Sequence, residues 1–405
     1  MGGNAFKVDG FESPRIPTAL YGDLKLKYAA ILTKIYENVT SPEAPMWKVD
    51  HGDVDMLVEG PRHDHLTPSD ISEALGAKAW KGQGPTFNFA MPHPEISDSI
   101  VQLDVQLCPR GYLQWQVFQA SYSDLAQIIG VIIRGLGLTA NDKGLHVRIA
   151  EIETSNKKDS LIHLTQDPDT HMKFLGLDSQ KFHEGFNSEE DLFHWVAGCR
   201  FLNRQNIIPK QDAPTEGEKH NDRARRQKRG MFRAFVEDFM VSNPGLGDNC
   251  QWDRAKVLHE ALELFGRRQE YNSKLAAHTE QEREKALWSA IRNVIPRNGP
   301  SLKTTTRGLL RFVSVHNGEL KFNITPVPDE EKTPWVRGLD EVGEKPILKW
   351  VQENWEAVRV REKAHANAAK TTAKDFETEH EAKKRELNGG TEAAPVPPSS
   401  ADGDS

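Results

Sequence analysis

The sequence predicts an α+β fold: a small mixed sheet with intervening helices, then a mainly helical region, a long polar helix and a disordered tail. Three observations carry this. Runs with apolar residues at every second position are concentrated in roughly the first 160 residues, and helical runs fall among them irregularly rather than in strict alternation. Beyond that point the apolar spacing is helical almost throughout. The last residues, "NGGTEAAPVPPSSADGDS", are low in complexity and lack apolar periodicity. The expected division is 1–165, 166–345, 346–388 and 389–405.

Taken in order, "TALYGDLKLKYAAILTKIYENV" places Leu24, Tyr28, Ile31, Leu32 and Ile35 at helical spacing, and Pro17 suits the start of that helix. "SPEAP" breaks it. "DVDMLVEG" reads as a buried strand that Gly60-Pro61 ends, and "TPSDISEALGA" as a short helix capped by Thr67 or Ser69. "TFNFAM", "SIVQLDVQLCP", "YLQWQVFQ" and "LHVRIAEIE" are expected strands, and "YSDLAQIIGVIIRGLGL" a helix stopped at Gly135 or Gly137. In the helical region "DPDTHMKFLGL", "NSEEDLFHWVAGCRFL", "MFRAFVEDFM" and "VLHEALELFG" supply apolar faces. His316-Asn317-Gly318 is the expected turn of a hairpin that interrupts them.

Composition bounds the function. Of 405 residues 37% are hydrophobic and 27% charged, which suits a folded part with solvated helices and a disordered end. A net charge of -7 removes any global electrostatic case for nucleic-acid binding and leaves only a local patch. Cys108, Cys199 and Cys250 are widely spaced, without the pairing of a zinc site. With no apolar signal region at the start and no run long enough to span a bilayer, the expected location is intracellular, cytoplasmic or nuclear, with no membrane partner.

The chemistry is concentrated in "GDVDMLVEG". Alternate residues of a strand share a face, so Asp53 and Asp55 stand together roughly 6–7 Å apart while Val54, Met56 and Val58 turn to the core. Two like charges that close raise each other's pKa unless a cation lies between them, and hard oxygen ligands suit magnesium. In "SIVQLDVQLCP", Val101, Leu103, Val105 and Leu107 alternate with Gln102, Asp104 and Gln106, which puts a third acid in the middle of a polar strand face. If the two strands are neighbours, three carboxylates converge. Such a set holds two cations that can align a hydroxyl and neutralise a transferring phosphoryl group.

An early "GG", the strand "GDVDMLV" and the later strand "QLDVQL" together resemble the nucleotidyltransferase superfamily typified by DNA polymerase β. The stretch from "MGGNAFK" through "GDVDMLVEGP" to "LDVQLCP" looks like uncharacterised fungal and phage members of it. The resemblance implies a nucleotidyltransferase core with Gly2 and Gly3 as the glycine turn, Asp53 and Asp55 as the acidic pair and Asp104 as the third acid. It implies catalysis and metal binding by those three acids, two magnesium ions (manganese as the alternative), and a nucleoside triphosphate such as ATP as substrate. Gly3 and Asp53 are 50 positions apart (53 − 3 = 50), so the helix from Thr18 must be accommodated between turn and acids.

Beside the glycines, Asn4, Lys7, Arg15 and Ser121 are the candidate nucleotide-binding residues, with Lys48 and Arg62 as further cations near the site. An N-cap role for Ser121 on the helix that follows is the simpler reading. "KHNDRARRQKRGMFR", Lys219 to Arg233, is a basic run suited to nucleic-acid phosphates or to nuclear localisation. The expected activity is transfer of a nucleoside monophosphate to a hydroxyl of RNA, DNA, protein or a small molecule, releasing pyrophosphate. The alternatives are a catalytically silent nucleotide- or RNA-binding protein of the same fold and a metal-dependent nuclease or phosphohydrolase.

Overall fold

The computed structural model describes residues 3–207, 229–316, 318–331 and 335–388. Gly2, the basic residues 219–228, Asn317 and the tail 389–405 lie outside the described residues. The chain forms two units, Met1–Leu275 and Ala276–Ser405, and the boundary falls within the helix Arg268–Val294. The architecture is mixed α and β, with small sheets and a helical C-terminal region. No helix among the described residues is long and apolar enough to cross a membrane.

The first unit begins with an arm, a one-turn helix at Lys7–Asp9 and the short strand β1 (Ile16–Pro17). Helix α1 (Thr18–Leu32) follows, then β2 (Tyr36–Thr40), β3 (Asp50–His51) and β4 (Asp53–Pro61). Next come α2 (Pro68–Leu75), β5 (Ala79–Gln83), β6 (Thr86–Pro92) and β7 (Ile100–Cys108). The main sheet runs β2-β4-β7-β6-β5, with β4 and β7 parallel and the other neighbours antiparallel. Its apolar face carries Val54, Met56, Val58, Phe89, Met91, Val101, Leu103 and Val105, all buried against Tyr21, Leu24, Tyr28 and Leu32 of α1 and Ile71 and Leu75 of α2. Alternation along β7 and the first residues of β4 is what allows the opposite face to be polar around the acids, before Leu57 closes it.

Three expected elements differ. The helix from Thr18 stops at Leu32, and Tyr36–Thr40 leaves it to become an edge strand on β4. Ladder hydrogen bonds to β4, helped by Tyr, Val and Thr, outweigh a helical continuation. "YLQWQVFQ" is helix α3 (Leu113–Ala120), not a strand. Its buried residues go two ways, Leu113 to Leu57 and Cys108 of the sheet and Trp115 and Phe118 to a second core, directions that a helix provides and one face of a strand does not. "LHVRIAEIE" divides into a strand, Gly144–Arg148, and a helical turn, Ala150–Glu153. Strand β5 was not visible in "AWKGQ", which has no alternation; it forms because Gly84-Pro85 folds the chain back to pair Gln83 with Thr86.

After α3 comes α4 (Leu125–Arg134), stopped at Gly135 as expected, then a three-stranded antiparallel sheet of Leu138–Asn141, Gly144–Arg148 and Leu161–Thr165. The helices Pro168–Leu175, Ser179–Glu184 and Glu189–Ala197 each begin on a side-chain cap, from Asp167, Asp178 and Ser188. With α3 and α4 they bury a second core that includes Trp115, Phe118, Ile129, Met172, Phe182 and Trp195. His171 is fully buried there, edge-on to Trp115 at 5.2 Å and to Phe118 at 5.4 Å between ring centroids. Neither of its ring nitrogens has a hydrogen-bond partner.

Burial pushes the His171 imidazole down to about 3. An unfolded histidine titrates near 6.5, so below that pH the unfolded chain binds a proton that the native chain refuses. Stability from this group is therefore complete above pH ~6.5 and is lost as pH falls toward 3, at up to about 1.4 kcal/mol per pH unit. His171→Phe is expected to remove about 2 kcal/mol of acid sensitivity between pH 6.5 and 5. Urea midpoints of wild type and variant, taken across that window, check it; two parallel pH profiles would refute it.

In the second unit the helices Gly299–Phe312 and Glu344–Asn388 pack with the hairpin Val313–His316 and Glu319–Phe322. His316 pairs with Glu319, and Gly318 has φ +76. Leu287, Trp288, Leu309, Trp335, Ile347 and Val351 form the core of this unit.

Candidate functional site

The polar face of the main sheet is closed at both ends and open in the middle. At one end α3 covers Leu57 and Cys108 with Leu113, and Glu59 accepts hydrogen bonds from the backbone N–H of Gly111 at 2.9 Å and Leu113 at 3.3 Å. At the other the N-terminal arm buries Phe6 against Ala90 and Ile100. Between them stand Asp53, Asp55 and Asp104. The parallel register places Asp55 directly beside Asp104 and Asp53 beside Gln102, so all three carboxylates share one face. Adjacent strands lie roughly 4.8 Å apart, which makes Asp55 and Asp104 immediate neighbours.

Their electrostatics differ. Burial, and then the negative charges of Asp53 and Asp104, push Asp55 up to about 7, against a smaller opposing pull from Lys48. Asp55 is nevertheless an exposed residue, because it lines an open depression and not a sealed interior, so solvent screens this push. Asp104 is also raised, chiefly by burial, although two side-chain amides favour its charged form. Those amides are Asn88, directly beside it on β6, and Gln102, two residues away on β7; both donate to the same oxygen, Asp104 Oδ1, at 2.5 and 2.8 Å. Among the described residues no three His, Cys, Asp or Glu side chains are gathered closely enough to hold a metal ion. The donor chemistry nonetheless fits an oxygen-ligated divalent cation: three carboxylates share one face, and Asp55 is an acid whose charge lacks sufficient compensation.

Asp53 and Asp55 line a depression of about 100 Å³ whose other walls include Tyr21, Glu43, Lys48, His51 and Ser123. Tyr21 and His51 stack face to face at 3.6 Å between centroids. Burial and the charges of Asp55, Asp53 and Glu43 push the Tyr21 phenol up to about 12, while burial and the nearby Lys48 and Arg15 push His51 down to about 4. The "SPEAP" segment, expected only to break a helix, thus forms a wall of the site. It is held there by Ser121 and Tyr122.

The other predicted residues fall in several places. Gly3 has φ +82, and a Cβ on it would lie 2.3 Å from the carbonyl oxygen of Gly52, so the arm touches the residue that opens β4 and only glycine fits. Gly3, Asn4 and Lys7 line a depression of about 260 Å³ with Glu12 and Ser13. Arg15 is committed to Asp50, in an ion pair at 2.6 Å. Arg62 donates to the carbonyls of Thr33 and Tyr36, beyond the far end of β4 from the acids. Ser121 does not cap the helix that follows; it ends α3, where its hydroxyl donates to the Val117 carbonyl and accepts from the Glu43 amide. That buried position makes Ser121 a support for the 42–45 wall. At the end of the basic run, Arg229 pairs with Asp124 at 3.3 Å, a structural use of one of its charges.

Sequence reasoning missed Asn88, Gln102 and Glu43. Gln102 had a signal, since the alternation of "QLDVQL" puts it on the face that carries Asp104; "TFNFAM" alternates too, but only the pairing of the two strands brings Asn88 to that face. Glu43 had none: only the fold brings that loop to the acids.

No family model matches the chain, and no curated protein matches it. Among solved structures it is similar to polymerase beta of Leishmania infantum in a ternary P/T complex, at 14% identity and a TM-score of 0.32. That likeness covers 41% of this chain and 74% of the other. At this level of likeness the functional reading rests on the site's own geometry.

Proposed function

We propose that the chain is a divalent-cation-dependent nucleotidyltransferase that moves a nucleoside monophosphate from a nucleoside triphosphate to a hydroxyl and releases pyrophosphate. The observation that carries this is the parallel register that sets Asp55 beside Asp104, with Asp53 on the same face and Asp55 raised to about 7. Asp53, Asp55 and Asp104 would hold magnesium or manganese. When bound, the cation supplies neutralisation of phosphoryl charge and a lower pKa for the attacking hydroxyl. Gly3 and Asn4 line the larger depression and Lys7 adds a cation there, a charge suited to phosphate oxygens. Lys48 and Glu43 border the other depression, on the side open to an acceptor. The basic residues of 219–233 remain the candidate contact for a nucleic-acid acceptor.

A second reading, a catalytically silent nucleotide-binding protein, is favoured by the two amides that engage Asp104 Oδ1. Product chemistry separates the two. With the four labelled nucleoside triphosphates, magnesium and an extract of RNA, protein and metabolites, the wild type is expected to release pyrophosphate and label an acceptor. Asp53→Ala and Asp104→Ala are each expected to abolish both signals. Triphosphate binding without pyrophosphate release would establish the silent reading. Release of phosphate or nucleotides from nucleic acid would move the assignment to a hydrolase.

A further inference from the structure

We propose that Gln102 is a positioning residue that couples the N-terminal arm to Asp104, so that the order of one depends on the order of the other. The inference deepens the nucleotidyltransferase reading, on which its metal-binding consequence rests. The Gln102 side chain is buried, 4% exposed, on the polar face of β7. Its Oε1 accepts the backbone N–H of Ala5 at 2.8 Å, and its Nε2 donates to Asp104 Oδ1 at 2.8 Å. One partner can only donate and the other, as a carboxylate, can only accept, so the bridging group needs an acceptor on one side and a donor on the other. Glutamine has both. Glutamate would face Asp104 with a like charge, and methionine of similar size would offer no donor and only a weak acceptor.

The arm on the other side of this bridge is firmly docked. Lys81 Nζ donates to the Ala5 carbonyl at 3.2 Å and forms an ion pair with Asp9, Phe6 is 1% exposed, and the Ile100 amide donates to the Glu12 carbonyl at 2.8 Å. Two residues before Ala5 stands Gly3, packed on Gly52 at the start of the strand that carries Asp53 and Asp55. The arm therefore meets the acid site twice, at Gly52 through the backbone and at Asp104 through Gln102. Asn88 donates to the same oxygen as Gln102, so both amide hydrogen bonds fall on Oδ1. Together they fix the rotation of the carboxylate and leave its second oxygen for a cation. Hydrogen bonds behind a ligand set its orientation, and their loss typically costs ~10–100-fold in metal affinity.

The test uses the full chain with Gln102→Met, Asp104→Ala and the control Gln106→Met. Gln106 lies on the same strand face but bonds Gln116, not the arm or the acid. Amide hydrogen exchange at Ala5 is read by NMR without metal, and Mn2+ affinity by electron paramagnetic resonance. Gln102→Met and Asp104→Ala are each expected to speed exchange at Ala5 at least tenfold, because coupling between two sites acts in both directions. Gln106→Met is expected to leave it unchanged. Gln102→Met is also expected to weaken Mn2+ binding ~10–100-fold. Unchanged Ala5 exchange in Asp104→Ala, or equal acceleration by Gln106→Met, would overturn the coupling, as would unaltered Mn2+ affinity in Gln102→Met. A wild type that binds no Mn2+ at millimolar concentration would instead sink the nucleotidyltransferase reading, and the exchange data would still decide the coupling.

Discussion

Asp55→Asn is expected to abolish cation-dependent nucleotidyl transfer and, at the same time, to stabilise the metal-free protein at neutral pH. The two effects share a cause. Asp55 is raised to about 7 by burial and by its acidic neighbours, whereas an unfolded aspartate titrates near 3.9. Between those values the native chain binds more protons than the unfolded one, so this group lowers stability as pH climbs from about 4 to about 7 and leaves it lowest above that. Solvent contact at Asp55 screens the effect, so the expected gain is a rise of a few degrees in melting temperature. Thermal melts in chelator should show Asp55→Asn above wild type at pH 8, with the difference closing near pH 4. Added magnesium should raise the wild-type melting temperature and leave the variant where it was. The catalytic loss is expected on the order of 10³-fold or more, since a charge-neutralising cation site supplies several kcal/mol to such a transition state. A variant that melts below wild type at pH 8 would contradict the crowding of like charges from which both expectations follow.

Trp115→Ala is expected to be the most destabilising single change in the first unit. The side chain is completely buried in the core beneath α3, and its Nε1 donates to the Asn141 carbonyl at 2.6 Å. Truncation leaves a cavity and an unpaired carbonyl, for which large aromatic-to-alanine changes give about 3–5 kcal/mol. The consequence extends to the site. Helix α3 ends at Ser121, whose hydroxyl accepts from Glu43, and Tyr122 N–H donates to the Glu43 carbonyl at 2.8 Å. Loosening α3 therefore loosens the 42–45 wall opposite the acids. Chemical denaturation of Trp115→Ala and Trp115→Phe checks this: phenylalanine keeps most of the apolar burial and is expected to lose about 1–2 kcal/mol with the hydrogen bond and part of the ring. Equal losses in the two variants would show that the cavity contributes little.

The elements legible from sequence were those whose pattern is local. Alternation in "DVDMLV" and "SIVQLDVQLCP" identified two strands and assigned every side chain to a face, because the strand period leaves no choice. The Thr67 cap marked α2 and Gly135 the end of α4 in the same local way, and helical spacing marked Pro168–Leu175 and Glu189–Ala197, whereas Ser179–Glu184 between them was not read. Failures came where the partner is distant. Tyr36–Thr40 is a strand only because β4 offers it a ladder, and "YLQWQVFQ" is a helix buried on two sides, by Leu57 and Cys108 of the sheet and by the second core.

The same physical distinction divides the site. From the sequence alone, Asp53 and Asp55 had to share a face, and Asp104 had to oppose Val101, Leu103, Val105 and Leu107. Whether those faces coincide depends on strand order and register, and only the tertiary structure supplies the parallel pairing that sets Asp55 beside Asp104. The fold also decides which cations remain near the acids, committing Arg15 to Asp50 and Arg62 to carbonyls at the other end of β4 while Lys48 stays beside Asp55. A sequence states which side chains a backbone period must group, but charge is compensated through space. Gln102, Asn88 and Glu43 acquire their roles only where separate segments meet.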